Sequence, residues 1–213
     1  MAQFFSIHTD NPQPRLIQKA AAIIRSGGVI VYPTDSSYAM GCHLGDKAAM
    51  ERLRRIRDVD DHHHLTLVCR DLSEIAKFAK VDNVQYRFLR AHTPGSYTFI
   101  LQASREVPRR LLHPKRSTIG LRVPDHALVR ALLAELDEPL LSTTLILPGE
   151  SEPMSDAADI RQRLEHEVDL VIDGGYVSPE PTTVIDLSAA EPTLVRMGKG
   201  NVDSLGLRAA QAL

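Results

Sequence analysis

The sequence predicts an α/β (α+β) domain in which helices pack on a twisted mixed sheet. Three observations lead there. Apolar runs of strand length alternate with amphipathic helical stripes through the first two-thirds of the chain, and strand-like segments crowd together near its end. No linker, internal repeat or low-complexity tract divides the 213 residues, so one domain over 1–213 is expected, with its core over about 11–200.

The elements follow in order. Asn11 and Pro12 read as a capping pair, and Leu16, Ala20, Ile23 and Ile24 then form a helical stripe that stops at Gly27-Gly28. A strand over Val29 to Tyr32 comes next. Asp46 can cap a second helix with Ala49, Met50, Leu53 and Ile56 inward, and Glu51 and Arg55 are spaced for an i,i+4 pair. Leu65 to Cys69 reads as a strand, followed by helical stretches near 72–79 and 82–92. Tyr97 to Ala103 is a strand, Arg109 to Leu112 a short helical turn and Thr118 to Val123 a further strand. A helix capped by Asp125 buries Val129, Leu132, Leu133 and Leu136. Leu140 to Leu145 is a strand, 157–165 a helix, and strands are expected near 169–173, 182–187 and 193–197. Gly206 to Leu213 is expected to be a frayed tail.

Composition narrows the class. The chain is 43% hydrophobic and 24% charged, with 25 Lys plus Arg against 27 Asp plus Glu, which predicts no global nucleic-acid footprint. Cys42 and Cys69 have neither metal nor redox spacing and suit a reducing cytosol, so a cytoplasmic protein is expected. The first residues lack a basic segment followed by an apolar one, and no apolar run approaches the ~18 residues of a membrane helix, so no membrane partner is expected.

Several stretches could carry chemistry. Pro33-Thr34-Asp35-Ser36-Ser37 follows a buried strand, and such a turn can simply end it. In Thr118 to Val123, alternation puts Thr118, Gly120 and Arg122 on one face. A hydroxyl, bare backbone and a guanidinium in one row suit a bound carboxylate or phosphate, and equally a half-exposed strand whose arginine faces water. Ser142 and Thr144 share a face, Thr182 and Asp186 lie on one side of a later strand, and Arg196 precedes a Gly-Lys-Gly turn. Arg52, Arg54, Arg55 and Arg57 form the strongest positive run; Arg105, Arg109, Arg110, Lys115 and Arg116 form a second cluster that could meet RNA phosphates. His62-His63-His64 lacks zinc-type spacing and reads as a loop of pH-sensitive charge, so no metal site is assigned. Neither a Walker A sequence nor G-x-G-x-x-G occurs.

Taken together, the ordered motifs resemble the YrdC/YciO family of threonylcarbamoyl-adenylate synthases. Pro33 to Gly41 is similar to that family's P-T-D-T-x-Y-G-L-G, Pro94 to Phe99 to P-G-P-x-T-F, and Arg122 to His126 to R-V-P-x-H. Pro139 to Thr144 resembles P-L-V-S-T-S; Asp173-Gly174-Gly175, Thr182 to Asp186 and Val195 to Gly198 resemble D-G-G, S-T-V-V-D and L-R-x-G. The resemblance implies a YrdC-like domain around a basic cavity. It also implies that ATP, L-threonine and bicarbonate give threonylcarbamoyl-AMP and pyrophosphate, with Mg2+, on the way to threonylcarbamoyladenosine in tRNA. By that analogy Arg57 and Arg122 are catalytic. Thr34, Tyr38, Arg122 and Thr182 bind the amino acid; Arg55, Arg57, Thr118, Ser142, Thr144 and Arg196 bind the nucleotide. The alternative it implies is a non-catalytic module that binds double-stranded RNA, tRNA or the ribosome. Two positions depart from the synthase pattern: K-x-R is Arg55-Ile56-Arg57, and S-x-N is Thr144-Leu145-Ile146. Both departures, with the His-rich loop, resemble the YciO branch.

Overall fold

The structure is a computed structural model that describes residues 1–60, 63, 65–113, 115–203 and 205. In chain order its elements are β1 (Gln3–Ser6), α1 (Pro14–Arg25), β2 (Ile30–Tyr32), β3 (Ala39–His43), α2 (Lys47–Arg57), β4 (Thr66–Val68), α3 (Leu72–Phe78), α4 (Asn83–His92), β5 (Tyr97–Gln102), β6 (Thr118–Arg122), α5 (Ala127–Leu136), β7 (Leu140–Thr144), α6 (Ala157–Leu164), β8 (Leu170–Asp173), β9 (Thr183–Asp186) and β10 (Thr193–Arg196), with a 3-10 turn at Arg109–Leu111. The strands form one ten-stranded mixed sheet in the order β1-β8-β2-β3-β7-β4-β6-β5-β9-β10. Pairings β1–β8, β2–β8, β4–β6 and β5–β9 are parallel, and the rest antiparallel. The mixed sheet expected from the alternation is therefore present.

Two strands, β1 and β3, were not expected. Three local details also differ from the sequence reading. Helix α1 begins on Pro14 with Gln13 at its N-cap and no side-chain cap, so Asn11 and Pro12 lie outside it. Asp125 does not cap α5: His126 is the N-cap residue, and the Asp125 carboxylate accepts from Arg130 at 2.8 Å. Glu51 pairs with Lys47 at 3.5 Å rather than with Arg55. The Asp46 cap forms as read, accepting from Ala49 N at 2.9 Å, and the structure adds a capping box on α4 in which Asp82 pairs with Gln85. The expected C-terminal tail, 206–213, lies outside the described residues, as do His62 and His64. Among the described residues, no helix is long and apolar enough to cross a membrane.

Alternation divides the sheet between two environments. Leu67, Leu121, Phe99, Leu101 and Ile185 point into the larger core, against Leu53 and Ile56 of α2, Ile75 of α3 and Leu89 of α4. On the other face, Ile30, Tyr32, Leu140 and Leu170 pack under Ile17 and Ile24 of α1 and Leu132 and Leu133 of α5. The strand register carries this second face in a continuous row: Ile30 opposite Gly41, then Ser142, Thr66, Gly120 and Ile100. The row begins beneath α1 and α5 and runs through small and polar residues to Ile100. That uncovered end of the sheet holds the cavity described below.

Phe99 is fully buried at the centre of the larger core. Phe99→Ala is expected to cost about 3–5 kcal/mol, read as a lower denaturation midpoint with an unchanged m-value.

Candidate functional site

The uncovered end of the sheet forms the floor of a cavity of about 330 Å3, a size that suits a small-molecule ligand. Thr66, Gly120, Thr98 and Ile100 supply the floor, and Thr143, Thr144 and Ile146 one wall. Thr182, Val184 and Val195 supply the opposite wall, and Arg57, Arg196 and His63 also line it. Gly120 is needed for room. A Cβ there would sit 3.0 Å from Thr66 Oγ1 and 3.5 Å from Thr98 Cγ2.

The charge balance of this lining is one-sided. Arg57 is the last residue of α2, and burial lowers its pKa from the ordinary guanidinium value. Its Nε is buried without a hydrogen-bond partner, an orphaned donor on a cation that an anionic ligand would satisfy. Arg196 comes from the edge strand β10, and burial lowers its pKa too. It is braced by the Thr182 carbonyl, which accepts from Arg196 Nη2 at 2.9 Å and from Nε at 3.3 Å. Thr182 and Thr98 hydroxyls bond each other at 2.9 Å. His63 Nε2 lies 3.3 Å from Thr143 Oγ1, and its backbone N–H donates to the Asp60 carbonyl and carboxylate, both at 3.2 Å. No carboxylate lines the cavity among the described residues. Two guanidiniums, an imidazole and several hydroxyls make a donor-rich hollow.

The Pro33–Ser37 turn does something more specific than end a strand. Asp35 and Arg122 form a close ion pair with side chains only 10% and 9% exposed. The second Asp35 oxygen accepts from Ser96 Oγ at 3.0 Å and from Asp125 N at 3.3 Å, and its backbone carbonyl accepts from Lys199 Nζ at 2.7 Å. Arg122 Nη1 donates weakly to Ser36 Oγ at 3.4 Å, and its Nε is buried without a partner. Thr34 Oγ1 donates to the Ser37 carbonyl at 2.7 Å and accepts from the Ser36 and Ser37 amides at 3.2 Å, which closes the turn on itself. His126, next to this cluster, has its pKa lowered, chiefly by burial.

The structure sorts the residues picked out from the sequence. Arg57, Thr144, Thr182 and Arg196 meet in the cavity. Arg122 and Thr34 lie in the buried cluster around Asp35. Ser142 and Tyr38 are committed to the framework. Ser142 Oγ accepts from Tyr32 OH at 2.6 Å and donates to the Met40 carbonyl at 2.9 Å. Tyr38 OH donates to the Gly175 carbonyl at 2.7 Å, and burial pushes its pKa up to about 12. Thr118 is fully buried, its hydroxyl without a partner. Arg55 lies apart, exposed in an outer groove of about 430 Å3 with Leu147 and Arg163. Positions two apart on a helix point roughly 200° from each other, so α2 sends Arg55 and Arg57 in opposite directions. Sequence reasoning missed Thr66, Thr98 and His63 as lining residues and Asp35 as the hub. Period-two alternation in β4 and β5 was the available signal for the two threonines.

The cavity also bears on metal chemistry. Mg2+ prefers hard oxygen ligands, typically one or two carboxylates with phosphate oxygens. The described lining offers no carboxylate, and no cluster of three His, Cys, Asp or Glu side chains is placed to hold an ion among the described residues. The lining therefore does not fit a protein-held Mg2+.

The fold is thus a mixed sheet with helices packed on it and, on one face, a hollow lined by two arginines, a histidine and several hydroxyls. The chain belongs to the Sua5/YciO/YrdC family, whose model, described as telomere recombination, matches residues 22–198. It is 57% identical over 202 residues to the uncharacterized protein YciO of Escherichia coli (strain K12), covering 95% of this chain and 98% of that one. The crystal structure of E. coli YciO superposes with a TM-score of 0.93. A threonylcarbamoyl-AMP synthase of Chromohalobacter salexigens is 33% identical over 178 residues, 82% of this chain and 94% of that protein. Pyrococcus abyssi Sua5 complexed with L-threonine shares the fold, with a TM-score of 0.84 at 23% identity over 92% of this chain and 57% of that one. Identity to YciO thus exceeds identity to the synthase, in line with the YciO-type departures in the sequence.

Two variants test the site's construction. Asp35→Ala strands a buried guanidinium and is expected to destabilise the fold by about 3–5 kcal/mol in urea titrations, with Asp35→Asn costing less. Gly120→Ala puts a methyl group 3.0 Å from Thr66 Oγ1 on the cavity floor and is expected to lower the melting temperature modestly in thermal denaturation, by less than Asp35→Ala.

Proposed function

We propose that the chain forms an acyl-adenylate from ATP, bicarbonate and L-threonine. The observation that carries this reading is the cavity in which Arg57 and Arg196 converge on threonine hydroxyls without a lining carboxylate among the described residues. Kinship with the 33%-identical threonylcarbamoyl-AMP synthase supports it, as does the shared fold with Sua5, which was solved with L-threonine. In this reading the threonine amine captures CO2 derived from bicarbonate, and a carbamate oxygen attacks the α-phosphorus as pyrophosphate leaves. The protein forms no covalent bond to the substrate; its residues align the reactants and neutralise charge.

In this reading each residue takes a role suited to where it lies. Arg57 and Arg196 face the cavity and hold phosphate oxygens, with Thr144 beside them. Arg122, with Asp35 on one edge and an unpartnered Nε on another, offers its remaining donors to the amino-acid carboxylate. Thr182 contacts the amino acid, while Thr34 shapes the turn that carries Asp35, and Tyr38 and Ser142 belong to the framework. Mg2+ enters as the counter-ion of ATP and so belongs to the substrate. Of the two departures from the synthase pattern, Ile146 lines the cavity and Arg55 does not. Ile146 is thus the departure that bears on the ligand, where it presents an alkyl group instead of an amide.

The test supplies ATP, Mg2+, bicarbonate and L-threonine and detects threonylcarbamoyl-AMP by mass. Arg196→Ala and Arg57→Ala are each expected to lower the rate about 100-fold or more, as when a donor to developing charge is removed. No adenylate and no pyrophosphate with any amino acid, together with RNA affinity that falls steeply with salt, would favour the RNA-binding alternative.

A further inference from the structure

We propose that Val195 is the surface on which the base of the nucleotide rests, and that a β-bulge in β10 puts it in the cavity wall. This rests on the acyl-adenylate reading only in placing ATP in the cavity. It adds the direction in which the nucleotide lies.

Strand β10 pairs with β9 so that Thr193 stands opposite Asp186 and Leu194 opposite Ile185; the register then slips, and Arg196 stands opposite Val184. Counted residue for residue, Arg196 would instead stand opposite Thr183. Thr182 and Val184 line the cavity. Thr183, between them, is fully buried and gives its hydroxyl to the Gly200 carbonyl at 2.7 Å. Regular alternation would therefore send Arg196 to the face away from the cavity. Absorbing one extra residue as a bulge keeps Arg196 on the cavity face and adds Val195 to the same lining. Bulges of this kind re-aim side chains, and they concentrate at sheet edges and beside sites.

The two neighbours differ in chemistry and lie in a definite order. Arg196, Val184 and Thr98 stand side by side across β10, β9 and β5. On one side of that row lies Thr182, whose carbonyl and hydroxyl accept from Arg196 Nη2 at 2.9 and 3.3 Å. On the other side lie Val195 and Ile100, both in the lining. The wall thus grades along the strands from cation and hydroxyl to alkyl carbon.

Such a wall suits a ligand with charge at one end and a flat, weakly polar group at the other. A nucleotide has that order. With phosphate oxygens held at Arg196, the base falls at the Val195 and Ile100 end and covers their alkyl carbon with its face. Val195 is 57% exposed, so apolar surface remains there for a ligand to bury. L-Threonine carries no planar group and would cover far less of it.

The experiment measures, by calorimetry with Mg2+ present, the affinity of the full chain for ATP and for inorganic triphosphate, which has the charge but no base. Val195→Ser is expected to weaken ATP binding about 5- to 10-fold while leaving triphosphate within about twofold of wild type. Val195→Leu, which keeps an alkyl surface, should bind ATP much as wild type does. Met197 is 67% exposed just past the same strand but does not line the cavity, so Met197→Ser should change neither affinity. Unchanged ATP binding in Val195→Ser, or equal weakening of ATP and triphosphate, would overturn the role of Val195 and leave the acyl-adenylate reading standing. A wild type that does not bind ATP would overturn both. A wild type that binds ATP with the expected Val195 dependence but forms no adenylate would overturn the acyl-adenylate reading alone.

Discussion

The ion pair between Asp35 and Arg122 is the contact on which the site's architecture depends. Both side chains are nearly removed from solvent, where an isolated charge costs several kcal/mol. The pair offsets this cost only because each partner is further satisfied. Asp35 collects Ser96, the Asp125 amide and, through its carbonyl, Lys199. These contacts bring together the β2–β3 turn, the end of β6, the turn before β5 and the Gly-Lys-Gly turn after β10. The segments are distant in sequence, and a buried carboxylate at their junction fixes their relative positions.

That hub explains why the Pro33–Ser37 turn has its composition. Thr34 folds the turn on itself through the Ser36 and Ser37 amides, leaving Asp35 directed at Arg122. A turn that only ended a strand would need neither a buried carboxylate nor a hydroxyl donating inward. The same logic separates framework from lining along β7. Ser142 is consumed by Tyr32 and the Met40 carbonyl, whereas Thr144, two residues on and less buried, reaches the cavity. One strand face therefore carries both roles, and the covering layer above each position decides which it takes.

Much of the fold was legible because periodicity is local. The stripes of α1, α2 and α5 and the alternation in β6 identify themselves. β3 did not, since Ala-Met-Gly-Cys-His has no β-branched residue; its extended state comes from pairing with β2 on one side and β7 on the other. β1 is a short edge strand whose partner, β8, lies far along the chain. The candidate site was legible as a set of residue types but not as a geometry. Separating Arg57 from Arg55 required only the helical period, yet separating Thr144 from Ser142 required knowing what covers the sheet. The Asp125 and Asn11 caps failed because short polar residues near a helix start have competing uses, such as the contact of Asp125 with Arg130.

The floor of the cavity is built from the sheet itself and is therefore rigid and uncharged. Its charge comes from elsewhere: Arg57 from the end of α2 and Arg196 from the edge strand. His63 comes from the segment between α2 and β4, and Ile146 lies just beyond β7. Substitutions at these positions change what the cavity can hold without disturbing the strand register or either core. Such a division separates the sheet, which sets the fold, from the residues that line the cavity. Ile146 lies at the cavity wall, while the Asp35–Arg122 pair that fixes the framework is not part of the cavity lining.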